Sequence, residues 1–574
     1  MLTIYIDGRE YKVEEGSTVL DACKEAGINI PTLCYLKKVN EIGACRMCLV
    51  EVEGARTLQT SCVLPVTDGM KIKTNTEKVR EARKSNLELI LSNHDRECLK
   101  CFRNGSCELQ KLSTDLGVDD IEFEGERIEY PKDEESLTLV RDPNKCVLCG
   151  RCVSVCKKVQ TVDVLSSRDR GFKTTVGPAF GMSLADTACI GCGQCINVCP
   201  TGALREKSSI EKVWSAINNK NLHVVFQTAP SVRVALGEEF NVPMGTSVTG
   251  KMVAAIRRMG ADRVFDTNTG ADLTIMEEGN ELLHRLENDG VLPMITSCSP
   301  GWVNFCEHYF PEFIPNLSSC KSPMNMFGAI IKSYYAEKEN IDPKTIYTVA
   351  VMPCTAKKTE INRPEMENDG LRDVDETITT REFAKMIKEA RIDFNKLKDE
   401  EFDNPMGEAS GAGAIFGATG GVMEAAVRTV YEKVTGERLD NFEEVRGEGT
   451  KEFEVTLNGK VLKGVVVSGT GNARRVLESV KNGEKDYQFI EVMGCPGGCI
   501  MGGGQPLFNH TEHEWSDVFN LRSGAIYTED EKSTVRRSHE NPFIKKLYDE
   551  YLGEPLGEKS HKLLHTEYTA RSKY

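Results

Sequence analysis

CVLCGRCVSVC at residues 146–156 returns as CIGCGQCINVC at residues 189–199. Each copy spaces its thiols Cys-x2-Cys-x2-Cys-x3-Cys, and Pro200 follows the second. Runs this tight do not suit two separate tetrahedral zinc sites. They suit a pair of cubane iron–sulfur clusters in which the fourth thiolate of each run crosses to the other cluster. Cys146, Cys149, Cys152 and Cys199 are expected to hold one 4Fe–4S cluster, and Cys189, Cys192, Cys195 and Cys156 the other. The duplication marks a module over residues 131–210.

Composition supports metal rather than disulfides. The chain has 574 residues, 22 of them cysteine, with 72 Lys+Arg against 87 Asp+Glu and a net charge of −15. That balance offers no basic footprint for nucleic acid or an anionic membrane. No stretch approaches the ~18 apolar residues of a membrane span, and the charged first 24 residues lack the apolar core of a signal peptide. A cytoplasmic setting is expected, where thiols stay reduced and clustered cysteines bind metal.

Upstream, MLTIYIDG and REYKVEEG read as a hairpin, and Ser17 or Thr18 caps a helix through VLDACKEAG. Cys34, Cys45, Cys48 and Cys62 follow in loops, so residues 1–80 read as a β-grasp-like unit. Residues 81–130 begin helical (VREARKSNLELILSNH) and turn loop-like, carrying His94, Cys98, Cys101 and Cys107. The spacings Cys-x10-Cys-x2-Cys-x13-Cys and His-x3-Cys-x2-Cys-x5-Cys resemble the large iron–sulfur subunit of respiratory complex I. That resemblance implies a 2Fe–2S cluster on the first set, with zinc as the competing occupant, and a 4Fe–4S cluster completed by His94 on the second. The repeat between 146 and 199 resembles the two-cluster bacterial ferredoxins. The charged run LREKSSIEKVW after it reads as a linker helix.

From 211 onward apolar runs alternate with helical stretches, the pattern of an α/β domain. LHVVFQTAPS, VLPMITSCSPGW, IYTVAVMPC and YQFIEVMGCPGGC each end in a turn, and three of these turns carry cysteine. Ligands of open α/β sheets sit beyond the carboxyl ends of strands, so these turns could share one site. Seven cysteines lie outside the accessory sets. Cys23 and Cys306 read as small buried apolar residues and Cys320 is unassigned; Cys298, Cys354, Cys495 and Cys499 sit in the turns.

TSCSPGW (296–302), MPCTAKK (352–358) and EVMGCPGGCIMGGGQP (491–506) resemble the three signature loops of the iron-only (FeFe) hydrogenases, clostridial multi-cluster type. The likeness covers essentially the whole chain. It implies reversible conversion of protons and electrons to H₂ at an H-cluster, a 4Fe–4S cubane joined to a di-iron centre with CO, cyanide and a bridging dithiolate amine. The resemblance puts Cys354 and Cys495 on the cubane and Cys499 in the bridging position. Lys357 would donate to one cyanide and the backbone around Ala229, Pro230 and Ser231 to the other, while Met352, Met493, Phe416 and Gly417 line the di-iron centre. The family's proton relay maps onto Arg285, Glu281, Ser318, Glu278 and the loop cysteine; without the resemblance, TIMEEGNEL would read as a solvated acidic helix end.

One departure stands out. The family's first loop has adjacent cysteines before Pro-Gly-Trp, a relay thiol and then a cubane ligand. Here the pair is Cys298 and Ser299. Either Cys298 relays and Ser299 ligates, or Cys298 ligates.

The expected architecture is a mixed α+β and α/β multidomain chain. It comprises a 2Fe–2S domain (1–80), a His/Cys3 4Fe–4S domain (81–130), a two-cluster ferredoxin domain (131–210) and a catalytic domain (211–574) ending in a small-subunit-like tail from about 525. The expected inventory is one 2Fe–2S cluster, three accessory 4Fe–4S clusters and the H-cluster. Expected partners are H₂, protons and ferredoxin or a similar carrier. SGTGNARR (468–475) and GAGAIFGATGG (411–421) do not fit G-x-G-x-x-G after a strand, so any flavin or NAD of an electron-bifurcating complex belongs to a partner subunit. A non-catalytic iron–sulfur sensor or assembly factor is the alternative of another class.

Overall fold

A computed structural model describes every residue except 124, 405, 407, 448 and 574. At the N-terminus Leu2–Ile6 and Arg9–Val13 pair antiparallel across an Asp7-Gly8 turn, with Ile6 opposite Arg9. They belong to a five-stranded sheet that buries Ile4, Ile6, Val50 and Ile72 against the helix Val19–Glu25. Thr18 closes that helix's first turn by accepting from Asp21 N–H, while the Asp21 carboxylate accepts from Thr18 N–H.

Helix Glu77–Asn93 leads to His94, and a second helix, Glu108–Asp115, occupies part of the stretch expected to be loop. Its buried face, Leu109 and Leu112, packs with Leu87 and Leu91 of the first helix. The run LREKSSIEKVW is only half helical. Leu204–Glu206 pairs antiparallel with Leu139–Arg141, and the helix begins at Ile210. The apolar Leu204 enters the core beside Leu139, which outweighs the helical propensity of its charged neighbours.

The large region contains two four-stranded sheets. In the first, Arg263–Asp266, His223–Thr228, Ile346–Met352 and Glu376–Thr379 lie side by side, all parallel. Its central strands are buried on both faces, which explains their unbroken apolar runs. In the second, Met294–Ile295, Phe489–Met493 and Lys460–Ser468 run parallel and Thr450–Leu457 closes an antiparallel edge. VLPMITSCSPGW contributes only Met294–Ile295 as strand, because Pro293 cannot donate to the ladder. The tail begins at helix Trp515–Lys532, ten residues before the charged segment suggested, with Val518, Phe519 and Ile526 in the core. It returns at the end, where Thr566 N–H donates to Ser319 O (2.7 Å) and Lys321 N–H to Leu564 O (2.8 Å).

Candidate functional site

All 22 cysteines are free thiols. Cys48 and Cys62 approach to 3.2 Å between sulfurs, and Cys34 hydrogen-bonds Cys45, so the N-terminal four lie together. Cys146, Cys149, Cys152 and Cys199 are mutual electrostatic neighbours, as are Cys156, Cys189, Cys192 and Cys195. Burial pushes Cys146 up to about 11 and Cys189 up to about 12. Thiolates there need the positive charge of metal, the first sign that these pockets suit iron.

The second sign is His94. It is buried, its Nδ1 has no partner, and burial with the nearby Lys145 lowers its pKa to about 4. A neutral imidazole with an orphaned nitrogen joins Cys98, Cys101 and Cys107 around a cavity of about 200 Å³. A Cβ at Gly202 would stand 2.4 Å from Cys101 Sγ, so the chain can pass there only as glycine.

These sites touch in sequence. Asn40, fully buried, donates from Nδ2 to Cys34 O (2.8 Å) and Cys149 O (3.0 Å), while its Oδ1 accepts from Ser154 (2.7 Å). Cys107 Sγ reaches Pro200 O at 3.7 Å, next to Cys199. Cys192 O lies 3.9 Å from Cys495 Sγ, and Thr355 Oγ1 donates to Gly191 O at 2.6 Å. The two outer sites therefore meet the Cys146 set, and the Cys189 set meets the loops of the large region.

Those loops leave the carboxyl ends of both sheets. Met352 leads to Cys354, Met493 to Cys495, Ile295 to Cys298, and Thr228 to Ala229, Pro230 and Ser231. Cys354, Cys495 and Cys499 are neighbours in a buried pocket, and burial raises all three thiols, Cys499 to about 12. Gln505 Nε2 ties Ser231 O (2.9 Å) to Cys499 O (3.4 Å). Lys357 Nζ donates to Cys298 O (3.2 Å) and pairs with Glu360 (2.8 Å). Met352, Met493, Phe416 and Gly417 are all buried here, with a Cβ on Gly417 only 3.3 Å from Ser231. Gly498 lies against Thr419 N, where a Cβ would come to 2.6 Å. Ser231 Oγ and Thr419 Oγ1 are buried without partners around this pocket. The glycine cradle, three thiols and orphaned hydroxyls fit a bulky polar inorganic group.

Cys298 and Ser299 diverge. Ser299 Oγ accepts from Gly494 N–H (3.0 Å), beside Cys495, at the start of helix Pro300–Tyr309. Cys298 neighbours Glu278, Cys499 and Lys357, and burial holds its thiol well above its ordinary value. Glu278 and Glu281 lie inside helix Thr267–Glu287 and are buried, so the solvated-acid reading does not hold. Burial, reinforced by Glu281, raises Glu278 to about 8 against the opposing pull of the nearby Ser318 hydroxyl and Ser297 N–H, with neither of which its oxygens complete a hydrogen bond. Glu281 accepts from Ser318 Oγ (2.8 Å) and from Arg285 Nη2 (2.6 Å).

Of the remaining cysteines, Cys23 is fully buried in the N-terminal core, Cys306 donates to Phe310 O (3.4 Å), and Cys320 lies 3.7 Å from Glu281 Oε2. The glycine-rich loops are packing devices. A Cβ on Gly471 would meet Val159 O at 2.3 Å, and one on Gly413 Asn268 O at 2.4 Å. Two buried polar residues of the region escaped sequence reading. Glu491, raised by burial to about 7, accepts from Gly420 and Met423 N–H; its one signal is a lone charge inside the apolar run FIEVM. Asn40 had no signal at all.

Five cysteine-rich pockets in contact, the last between two sheets and beside two buried carboxyls, define an iron–sulfur oxidoreductase. The chain belongs to the iron-only hydrogenases, and it is an FeFe hydrogenase with accessory iron–sulfur domains. Residues 222–503 match the C-terminal domain of the iron-only hydrogenase large subunit, and 516–571 the iron hydrogenase small subunit. Residues 1–77 match a 2Fe–2S cluster binding domain, 83–122 the iron–sulfur binding region of NADH-ubiquinone oxidoreductase G, and 145–203 a 4Fe–4S dicluster domain. The NADP-reducing hydrogenase subunit HndD of Solidesulfovibrio fructosivorans is 50% identical over the whole of both chains. Iron hydrogenase 1 of Clostridium pasteurianum is 46% identical, over 99% of this chain and all of that one. The HydA1 [FeFe]-hydrogenase of Chlamydomonas reinhardtii superposes with a TM-score of 0.58 at 43% identity, covering 64% of this chain and all of that one. Bound 2Fe–2S and 4Fe–4S clusters and an H-cluster follow from this membership.

Proposed function

We propose that this hydrogenase runs 2 H⁺ + 2 e⁻ ⇌ H₂ with Cys354, Cys495 and Cys499 as thiolate ligands of the H-cluster, Ser299 at the fourth cubane position and Cys298 as the relay thiol. The H-cluster, when bound, supplies redox-active iron and a basic amine at which protons and electrons meet. The observation that carries the reading is the opposite placement of the adjacent pair: Ser299 beside Cys495, Cys298 toward Glu278. Burial favours the neutral form of both groups, so as Cys298 gives its proton toward the pocket the Glu278 carboxyl replaces it, and Glu278 is reprotonated in turn from Glu281 by way of Ser318. Lys357 brings a buried ammonium to the anionic group, Ala229–Ser231 its backbone, and Met352, Met493, Phe416 and Gly417 keep water out. Glu278, Ser318, Glu281 and Arg285 link this pocket to the surface.

The accessory inventory is one 2Fe–2S cluster on Cys34, Cys45, Cys48 and Cys62, one 4Fe–4S cluster on His94, Cys98, Cys101 and Cys107, and two more on the crossed sets, within domains at 1–80, 81–130, 131–210 and 211–574. With the six irons of the catalytic unit this totals roughly twenty per chain. Iron analysis and infrared spectroscopy of the maturated protein test both parts. Carbonyl and cyanide bands with about twenty irons are expected; absent bands reject the catalytic reading, and eight to ten irons balanced by zinc reject the inventory.

A second reading concerns the electron partner. The 50% relative is named a subunit of an NADP-reducing hydrogenase, and residues 83–122 match a complex I region. This supports a cytoplasmic complex in which flavin and NAD(P) sit on partner subunits, with ferredoxin as the other carrier. No described helix is long and apolar enough to cross a membrane. Isolation under native conditions should retain a flavoprotein subunit; a chain that purifies alone and reduces ferredoxin at full rate rejects the complex.

A further inference from the structure

Arg285 is the outermost member of the relay, yet a guanidinium does not release its proton in proteins. It can hold Glu281 and order water, but it cannot carry the proton onward. On the other side of Glu281 the tail supplies an imidazole. Residues 564–566 lie along Ser319–Lys321, placing His565 opposite Cys320. A ring nitrogen of His565, a Glu281 oxygen and Cys320 Sγ all lie within 4.8 Å of one another. Ser319 sits at the junction. Its N–H donates to both Glu281 oxygens at 3.2 Å, and its Oγ lies 2.8 Å from His565 Nδ1.

Glu277 holds the His565 ring. That buried carboxylate accepts from Tyr548 Oη, Ser560 Oγ (2.8 Å) and Leu556 N–H (2.9 Å), and lies 3.0 Å from His565 Nε2. Burial raises the Glu277 carboxyl, but hydrogen bonds led by those of His565 and Tyr548 outweigh it and hold it below its ordinary value. Glu277 is therefore an acceptor, Nε2 carries hydrogen, and Nδ1 is free to take a proton from Ser319. His561 stacks on the same ring, centroids 4.6 Å apart and planes within 2°, and reaches the surface.

We propose that His565, held by Glu277 and joined through the Ser319 hydroxyl, is a second proton port of the relay at Glu281; this rests on the relay reading above. Ser319 N–H already holds both Glu281 oxygens, so a swing of the side chain brings Oγ toward the carboxyl; in the outward direction the Glu281 carboxylic acid then gives Oγ a proton as the hydroxyl proton passes to Nδ1. One proton moves, no electron moves, and a carboxylate and an imidazolium result. Glu277 stabilises the imidazolium. Half-buried Ser319 then carries the proton outward, its hydroxyl giving a proton to water as Nδ1 returns one to Oγ. The groups facing the ring are Glu277 and Glu281 from helix Thr267–Glu287, Ser319 and Cys320 from the loop, and His561 from the tail.

The test uses the full-length holoenzyme, with infrared bands of the H-cluster verifying assembly. His565→Ala should lower H₂ evolution with an artificial donor by about tenfold or more, with added imidazole restoring part of it. His565→Gln can keep a donor toward Glu277 but has no titratable nitrogen. It should stay slow, and added imidazole should not be outdone by it as a proton acceptor. Ser319→Ala removes only the half-buried hydroxyl and should be slowed similarly with unchanged thermal stability. If His565→Gln or Ser319→Ala turns over at the parent rate across about pH 6–9, the port is rejected. If instead every variant of Glu278 and Glu281 also keeps the parent rate, the relay itself falls.

Discussion

Replacing Glu278 with glutamine should stabilise the protein and disable it at once. Glu278 is buried in the middle of its helix with both oxygens unpartnered, and its pKa rises from 4.5 to about 8. A shift of that size corresponds to roughly 5 kcal/mol between the two protonation states, an upper figure because buried sites relax and admit water. The native state keeps the proton that the unfolded chain has already released. The associated stability is complete below about pH 4.5, falls by at most ~1.4 kcal/mol per pH unit as pH rises, and is gone above about pH 8. Glutamine is nearly isosteric and cannot ionise, so this slope is absent from the variant. Glu491, raised to about 7, titrates in both proteins and cancels from their difference except for its own repulsion of Glu278, a smaller cause than burial. Scanning calorimetry of parent and variant should therefore show melting temperatures that separate between pH 6 and 8 and run parallel above it. At ~2 °C per kcal/mol for a large cooperative unit, the final gap should reach several degrees. The amide cannot relay a proton, so turnover should fall by ~10²–10⁴ with H-cluster infrared bands intact. A gap that does not change with pH would refute the buried-acid argument, and parent-like turnover would remove Glu278 from the relay.

Other outcomes follow from single contacts. His94→Cys should retain a 4Fe–4S cluster at lower potential, since thiolate adds negative charge; an unchanged potential in redox-titrated EPR, or a silent His94→Ala, contradicts ligation. Cys298→Ala should leave the catalytic cubane's EPR signal and abolish turnover, whereas Ser299→Cys should strengthen that cubane and Ser299→Ala weaken it. Loss of the cubane signal in Cys298→Ala would exchange the two roles. Gly503→Ala would set a Cβ 2.1 Å from Cys192 O and 2.6 Å from Gly193 Cα, backbone against backbone. It should cost about 1–3 kcal/mol or more and slow reduction of the catalytic centre in freeze-quench EPR while the accessory signals persist; parent stability and parent rates would contradict the close approach.

Much of this was legible because iron–sulfur chemistry writes itself in short cysteine spacings, and because turns at the ends of apolar runs mark strand ends. Family membership, the cluster types and the mixed architecture all followed from those runs and loops. What stayed hidden depended on partners far away in sequence. Leu204–Glu206 became a strand only because Leu139–Arg141 offered it a ladder. Glu278 looked like surface charge because its burial comes from the Ser297 and Ser318 loops and the Glu491 strand, all outside its own segment. Asn40 draws its importance from carbonyls at Cys34 and Cys149, the second 109 positions away. A spacing rule sees ligands; it does not see what holds two ligand sets in contact.

The fold separates the two currents that the reaction must join. On the reading proposed above, electrons arrive along contacts between cysteine loops, ending at Cys192 against Cys495, on the side where Ser299 packs. On the same reading, protons arrive through helix Thr267–Glu287 and the Ser318–Cys320 loop, on the side of Cys298. The first loop passes between the two, and its consecutive residues face opposite ways because an extended backbone alternates its side chains. A change of register by one residue there would put the relay atom among the ligands and the ligand atom in the relay. Pro300 and Gly301, opening a helix packed against Gly494 and the Cys192 loop, hold that register. If Ser299 ligates and Cys298 relays as proposed, the identity of residue 299 tunes the cubane while the position of residue 298 stays committed to the proton.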